Sequence, residues 1–423
     1  MDGDEVCAST PTGDLSPYSS EYEGYMGNWG NTLDRWYHRA AVAVWPRDQA
    51  FANRAETSPA WALDELAAMA SAGDVPGARA AAAMLAPFWD STVRGRTPGE
   101  GGRTSGLFDK ALRAADAVAD AESSATLLRP FRIENLTDAQ VKSFVKIADG
   151  YGQQWTAELL RTWFGGDQPT WAYGGGHERP QWVADSLPGL CEGLHATGSA
   201  GRLAAQRLVD LSWEWIGKDI GSGLASSSPS YRDEKLGSLG KPLASVLTAA
   251  AAIGAAGMRD IVTGYIREQG DAVTALEMSA LRAAAELSRD GSGRDDAGFG
   301  DLAADCTARL RARLACPQRA SGDWSIELPG GGCACGLCDT LRAFLEDKGR
   351  RTFEWPLAKQ RRQHVHSRID AAELPVTHLT RRQGSPYTLV LTKTDALFAS
   401  EQEARTRDET DLEWLVAQWH PDA

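Results

Sequence analysis

The spacing of apolar residues changes character along this chain. Up to about residue 50 no helical period is present, and the stretch EYEGYMGNWGNTLDRWYHRAAVAVWPRDQ is rich in aromatics. Within it only Ala40 to Trp45, closed by Pro46, predicts a short strand. The segment opens in Ser, Thr and Pro and is too small for its own core, so that strand needs a partner. From about residue 57 to 316, Ala and Leu recur at helical spacing between short Gly, Ser and Asp clusters. Ser58-Pro59 predicts a helix start ahead of Trp61, Leu63, Leu66 and Met69. Thr137 and Gln140 have capping-box spacing ahead of Val141, Phe144, Val145 and Ile147, with Gly150 as the expected stop. Further stripes run over Trp182 to Leu194, Leu203 to Ile216, Leu243 to Ile253, Ile261 to Ile266, Leu276 to Leu287 and Leu302 to Leu314.

Near Pro317 the pattern breaks again, at SGDWSIELPGGG and a cluster of cysteines. A short helix is expected over Asp339 to Glu346. Two alternating runs, from Val376 to Arg382 and from Tyr387 to Lys393, then predict a β-hairpin around Gln383 to Pro386. A charged helix from Asp395 to Trp419 closes the chain, with Leu412, Leu415, Val416 and Trp419 as its packing stripe. The fold class is therefore mainly α. An irregular HEAT- or armadillo-like solenoid is expected over 57–316, without a strict sequence repeat, and a small α+β domain with a Cys/His cluster over 317–423. Residues 1–50 read as the tail of a preceding domain.

Size and charge narrow the function. With 423 residues there is room for more than one core. A net charge of -13 opposes general attraction to nucleic acid or anionic membrane. Seven cysteines, an odd number, of which three crowd together, suit a reduced setting rather than a secreted disulfide framework, so a cytoplasmic location is expected. The acidic start has neither the basic residues nor the apolar run of a signal peptide. The most apolar stretch, Leu243 to Met258, is Ala- and Gly-rich and reads as a buried helix.

The sharpest chemical pattern is Cys333-x-Cys335-x-x-Cys338, followed 26 and 28 residues after its last cysteine by His364 and His366. Three thiolates and one imidazole complete a tetrahedral zinc shell, so structural zinc is the expected cofactor, against inert thiols or redox chemistry. The fourth ligand is open between His364 and His366, which diverge on a helix, with Cys316 as an outside candidate. From Lys348 to Arg368, seven Lys or Arg stand against one Glu, a local balance of +6. Lys359, Arg361, Arg362 and Arg368, with Phe353 and Trp355 nearby, are the candidates for holding nucleic acid or another anion. Weaker signals are the glycine loop at Tyr173 to Arg179 with His177, the pair Cys191 and His195, and His38. Each reads first as a turn, core or strand-border residue. No nucleophile elbow, HExxH helix or dinucleotide fingerprint is present.

Two segments carry a family resemblance. Tyr25 to Asn31 (YMGNWGN) with Arg35 to Pro46 (RWYHRAAVAVWP) resembles a stretch after the jelly-roll core of large microbial 2-oxoglutarate and iron(II)-dependent oxygenases of the prolyl hydroxylase-like group. The CxCxxC cluster, Arg361 to His366 (RRQHVH) and Gly384 to Lys393 (GSPYTLVLTK) are similar to the C-terminal end of the same proteins. That family holds iron with a His-x-Asp/Glu pair and a distal His. No such pair precedes Tyr25, so no catalytic residue is carried over, and the chain is expected to be a C-terminal half lacking the catalytic core. The resemblance implies a scaffold or substrate-docking module for an oxygenase-type protein, with a protein partner or the missing domain as its companion. Two alternatives stand beside it: a functional oxygenase using Fe(II) and 2-oxoglutarate, and a zinc-stabilised nucleic-acid-binding protein.

Overall fold

The computed structural model describes residues 6–9, 43–46, 49–94, 101–165, 178–287, 297–328, 333 and 335–419. Strands β1 (Val6–Ser9) and β2 (Ala43–Pro46) pair antiparallel, with Val6 opposite Pro46 and Ser9 opposite Ala43. The strand expected at Ala40 to Trp45 thus lies at Ala43–Pro46, and its partner comes from near residue 6. The remaining aromatic segment, with Tyr25 to Asn31 and His38, lies outside the described residues, as does most of the glycine loop with His177.

Helices follow: α1 (Ala50–Thr57), α2 (Pro59–Ser71), α3 (Val75–Leu85), α4 (Trp89–Arg94), α5 (Gly101–Val118), α6 (Ala121–Leu128), α7 (Val141–Trp163), α8 (Glu178–His195) and α9 (Ser199–Leu224). The series continues with α10 (Pro229–Ser238), α11 (Gly240–Ala252), α12 (Ala256–Gln269), α13 (Thr274–Leu287) and α14 (Phe299–Ala315). The last part comprises α15 (Gly336–Glu346), β3 (Thr352–Pro356), α16 (Lys359–Ala371), β4 (Val376–Arg381), β5 (Thr388–Lys393) and α17 (Ala396–Trp419). The fold is mainly helical with a small three-stranded antiparallel sheet. No helix among the described residues is long and apolar enough to cross a membrane.

The chain divides into two compact units, residues 1–179 with 189–208, and 180–188 with 209–423. In the first, Phe108 of α5 packs on Phe131 at 5.0 Å and on Trp163 of α7 at 5.4 Å between ring centroids. Trp89 and Trp163 are almost fully buried, so their indole N–H groups need partners. Those partners are the Leu127 and Leu128 carbonyls at the end of α6, at 3.0 and 2.8 Å, where a helix leaves acceptors unfilled. The capping box foreseen at Thr137 and Gln140 is present on a 3-10 turn, Asp138–Gln140, that leads into α7. Helix α7 does not stop at Gly150. It breaks its geometry at Gly152, whose φ of 83° is one a glycine adopts readily.

In the second unit α11 and α13 approach closely at Gly240, where an added Cβ would stand 2.3 Å from Ser279 Cβ. Helix α17 lies along α14: Arg405 donates to Leu314 O at 2.8 Å and Cys316 O at 3.3 Å, filling acceptors at the end of α14. Arg313 of α14 pairs with Asp408, and Arg282 of α13 with Asp411, each at 2.5 Å.

The sheet order is β3-β5-β4, with the hairpin strand β5 in the centre. Strict alternation sends Leu389, Leu391 and Lys393 of β5 inward, along with Val376 and His378 of β4 and Phe353 and Trp355 of β3. Leu341, Phe344 and Leu345 of α15 and Val365 and Ile369 of α16 cover that face. The opposite face carries Glu354, Arg381 and Leu379, the last 70% exposed, as expected for an antiparallel sheet packed on one side. Lys393 is fully buried and donates from Nζ to Leu345 O and Asp347 O at 2.8 and 2.7 Å, closing the end of α15. Glu373, with φ at 49°, accepts from Ser230 Oγ at 2.6 Å and from Ser228 Oγ, tying the turn after α16 to the start of α10.

Candidate metal centre

Cys335 is the N-cap of α15, and Cys338 lies in its first turn. Cys338 is buried because it shares the face of α15 that carries Leu341 and Leu345 into the core. His364 reaches the same place from α16, whose buried Val365 and Ile369 fix the helix against the sheet. The ligand atoms of Cys333, Cys335, Cys338 and His364 all lie within 4.8 Å of one another. His364 Nε2 stands 3.4 Å from Cys335 Sγ and 3.3 Å from Cys338 Sγ. In a tetrahedral zinc site with ordinary Zn–S and Zn–N bonds, the S···N edge is about 3.6 Å, so the cluster fits such an ion with a small adjustment.

The electrostatics favour a metal ligand set. The Cys338 amide, then the Cys333 thiol, stabilise the Cys335 thiolate and bring its pKa down to about 6. Burial, then the neighbouring Cys335, pushes the Cys338 thiol up, so the pocket as it stands holds one thiolate readily and resists a second. A divalent cation removes that resistance, because it favours the thiolate at every ligand. Arg368, one helical turn beyond His364, lowers the pKa of Cys338 by its charge, and its Nε is buried without a hydrogen-bond partner among the described residues. The Arg368 side chain as a whole is half-buried.

Of the two histidines considered from sequence, only His364 joins the cysteines. His366 faces the other way, its Nδ1 against Nδ1 of His378 on β4. Burial, then His378, lowers its pKa. Cys316 is exposed at the end of α14, with Sγ 3.5 Å from Ala312 O, and lies outside the cluster. Cys191 is buried beside Ala205 O, and burial pushes its thiol up to about 12. His378 was not picked out from the sequence. The period-2 pattern of β4, which puts it on one face with Val376, was the available signal.

The basic run is largely taken up inside its own module. Arg351 donates to Lys393 O at 3.2 Å and stacks 4.3 Å from the Trp324 ring, while Arg350 lies 4.3 Å over Phe353. Arg362 donates to Leu357 O and lies 5.3 Å over Tyr387. Lys359 and Arg361 are exposed in the first turn of α16. Phe353 and Trp355, considered as base-stacking rings, belong to β3 and face the core.

No family model, curated protein or solved structure matches this chain.

Proposed function

We propose that this chain is a helical scaffold whose C-terminal module is held together by a structural zinc, and that it serves as a docking module for an oxygenase-type protein. The observation that carries the reading is the convergence of three thiols and one imidazole from a loop, α15 and α16. That donor set fills a tetrahedral shell and leaves no position for a substrate, which is the arrangement of structural rather than catalytic zinc. It also differs from the two-histidine, one-carboxylate set that holds oxygen-activating iron. When bound, the ion supplies cross-linking between α15 and α16. Cys333, Cys335, Cys338 and His364 would hold it, and Arg368 would balance its thiolates.

Zinc binding of this kind is worth about 10–16 kcal/mol in small domains, enough to decide whether a module of this size is folded. The helices preceding it supply surface: an irregular array of packed helix pairs offers long faces for a protein partner. The resemblance of YMGNWGN and CxCxxC with RRQHVH to oxygenase segments supplies the class of that partner. The experiment is 2-oxoglutarate turnover by the purified chain supplied with Fe(II) and 2-oxoglutarate, read as succinate. The expected result is no succinate above a protein-free control. Iron-dependent succinate formation would overturn the scaffold reading in favour of an oxygenase.

A further inference from the structure

We propose that Cys335 and Cys338 form a reversible oxidation site: a peroxide joins them as a disulfide, and the zinc they would hold is released. This rests on the reading of the cluster as a zinc site and adds how that site is regulated. The ligand atoms of the cluster lie within 4.8 Å of one another, so two of its sulfurs need only a short approach to bond. Cys335 is the N-cap of α15 and Cys338 the third residue along it, the CxxC arrangement at a helix start that suits dithiol and disulfide alike.

The cluster has an open side and a closed side. Cys338 is 1% exposed on the core face of α15, whereas Cys333 is exposed and Cys335 half-buried. A Cβ added at Gly336 would meet nothing within 4 Å, so the approach beside Cys335 is clear. A small oxidant reaches the Cys335 sulfur, and Cys338 stands behind it as the resolving thiol. Cys191 and Cys306 do not compete: both are buried, and burial pushes their thiols up to about 12. Cys316 is exposed but lies outside the cluster. The Cys335 thiolate attacks one peroxide oxygen, the O–O bond breaks and hydroxide leaves, giving a sulfenic acid. The Cys338 thiolate then attacks that sulfur, the S–S bond forms and a second hydroxide leaves. Each sulfur gives up one electron, the peroxide gains two, and two protons from solvent turn both hydroxides into water. Cys333 and His364 alone do not complete a tetrahedral shell, so the cross-link between α15 and α16 is lost.

The test uses the full purified chain, hydrogen peroxide, and a chromophoric zinc chelator that takes no zinc from the untreated protein. Peroxide should release one zinc for each disulfide formed. The tryptic peptide from Ala320 to Arg342, which carries all three cysteines of the cluster, should then take up one alkyl group in denaturant instead of three, on Cys333. Dithiothreitol with added zinc should restore all three. The Cys316→Ser variant should release zinc as the wild type does, and loss of release there would overturn the assignment. Zinc retained under peroxide, or released with all three thiols still open to alkylation, would overturn the switch and leave the zinc site standing. A disulfide through Cys333 would overturn the pairing. A chain that holds no zinc before peroxide is added would overturn the metal reading and the switch together.

Discussion

Glu277 of α13 is fully buried, and its carboxylate pairs with Arg309 of α14, whose Nε lies 3.8 Å from Asp271. Burial lowers the pKa of Arg309, yet the pair keeps both charges compensated. Removing one partner is costlier than removing both. Arg309→Met should lower stability by about 3–5 kcal/mol, and the Arg309→Met, Glu277→Gln double variant by clearly less, in urea unfolding of each protein. Equal losses in both would show that packing, not charge, dominates there. Lys393 gives a test with a definite sign. Burial brings its pKa in the folded chain down to about 8 from the ordinary lysine value of 10.5, against the opposing pull of the Asp347 and Asp323 charges. Between those values the unfolded chain carries the proton and the folded chain does not, so stability rises with pH across this window, by at most about 1.4 kcal/mol per unit. The stability of wild type minus that of Lys393→Met, measured by urea unfolding at successive pH values, should increase from pH 8 to pH 10. A flat difference would mean that the ammonium is retained throughout.

Helix α15 shows how one element serves both core and metal site. Leu341 and Phe344 anchor it on the sheet, and its N-terminus presents Cys335 and Cys338. Leu341→Ala should cost about 2–5 kcal/mol and should also weaken metal binding, because the helix that positions two ligands loosens. Urea unfolding and a zinc competition titration read the two effects. A metal affinity unchanged despite lost stability would show the loop to be pre-formed without its helix. Elements of this kind were legible where pattern and period agree. The hairpin strands alternate over six residues each, and α17 carries a long charged pattern with an apolar stripe. Strand β3 was hidden inside a basic run: Phe353 and Trp355 alternate over only five residues, too few to outweigh the flanking charges. The break in α7 fell at Gly152 instead of Gly150, because local sequence does not say which of two glycines will take a positive φ. The cysteine spacing announced a site, whereas the choice between His364 and His366 depends on how α16 is rotated against the sheet.

At the scale of the molecule, contacts far apart in sequence decide what periodicity cannot. Arg313 meets Asp408 across 95 positions and Ser230 meets Glu373 across 143, and neither pairing is written in local composition. The change of pattern at Pro317 falls inside the second compact unit, where α17 returns to lie along α14. The aromatic centre of the first unit, Phe108, Phe144 and Trp163, contains no metal ligand. Chelation should therefore speed amide hydrogen exchange in α15 and α16 while leaving α5 and α7 unchanged, a contrast read by exchange mass spectrometry. Uniform acceleration would contradict a local role for the ion. The most direct test of the central claim is elemental analysis of the dialysed, purified chain beside its Cys335→Ser, Cys338→Ser variant. The account predicts one retained zinc per wild-type chain and none in the variant. Zinc absent from both, or iron retained equally by both, would contradict it.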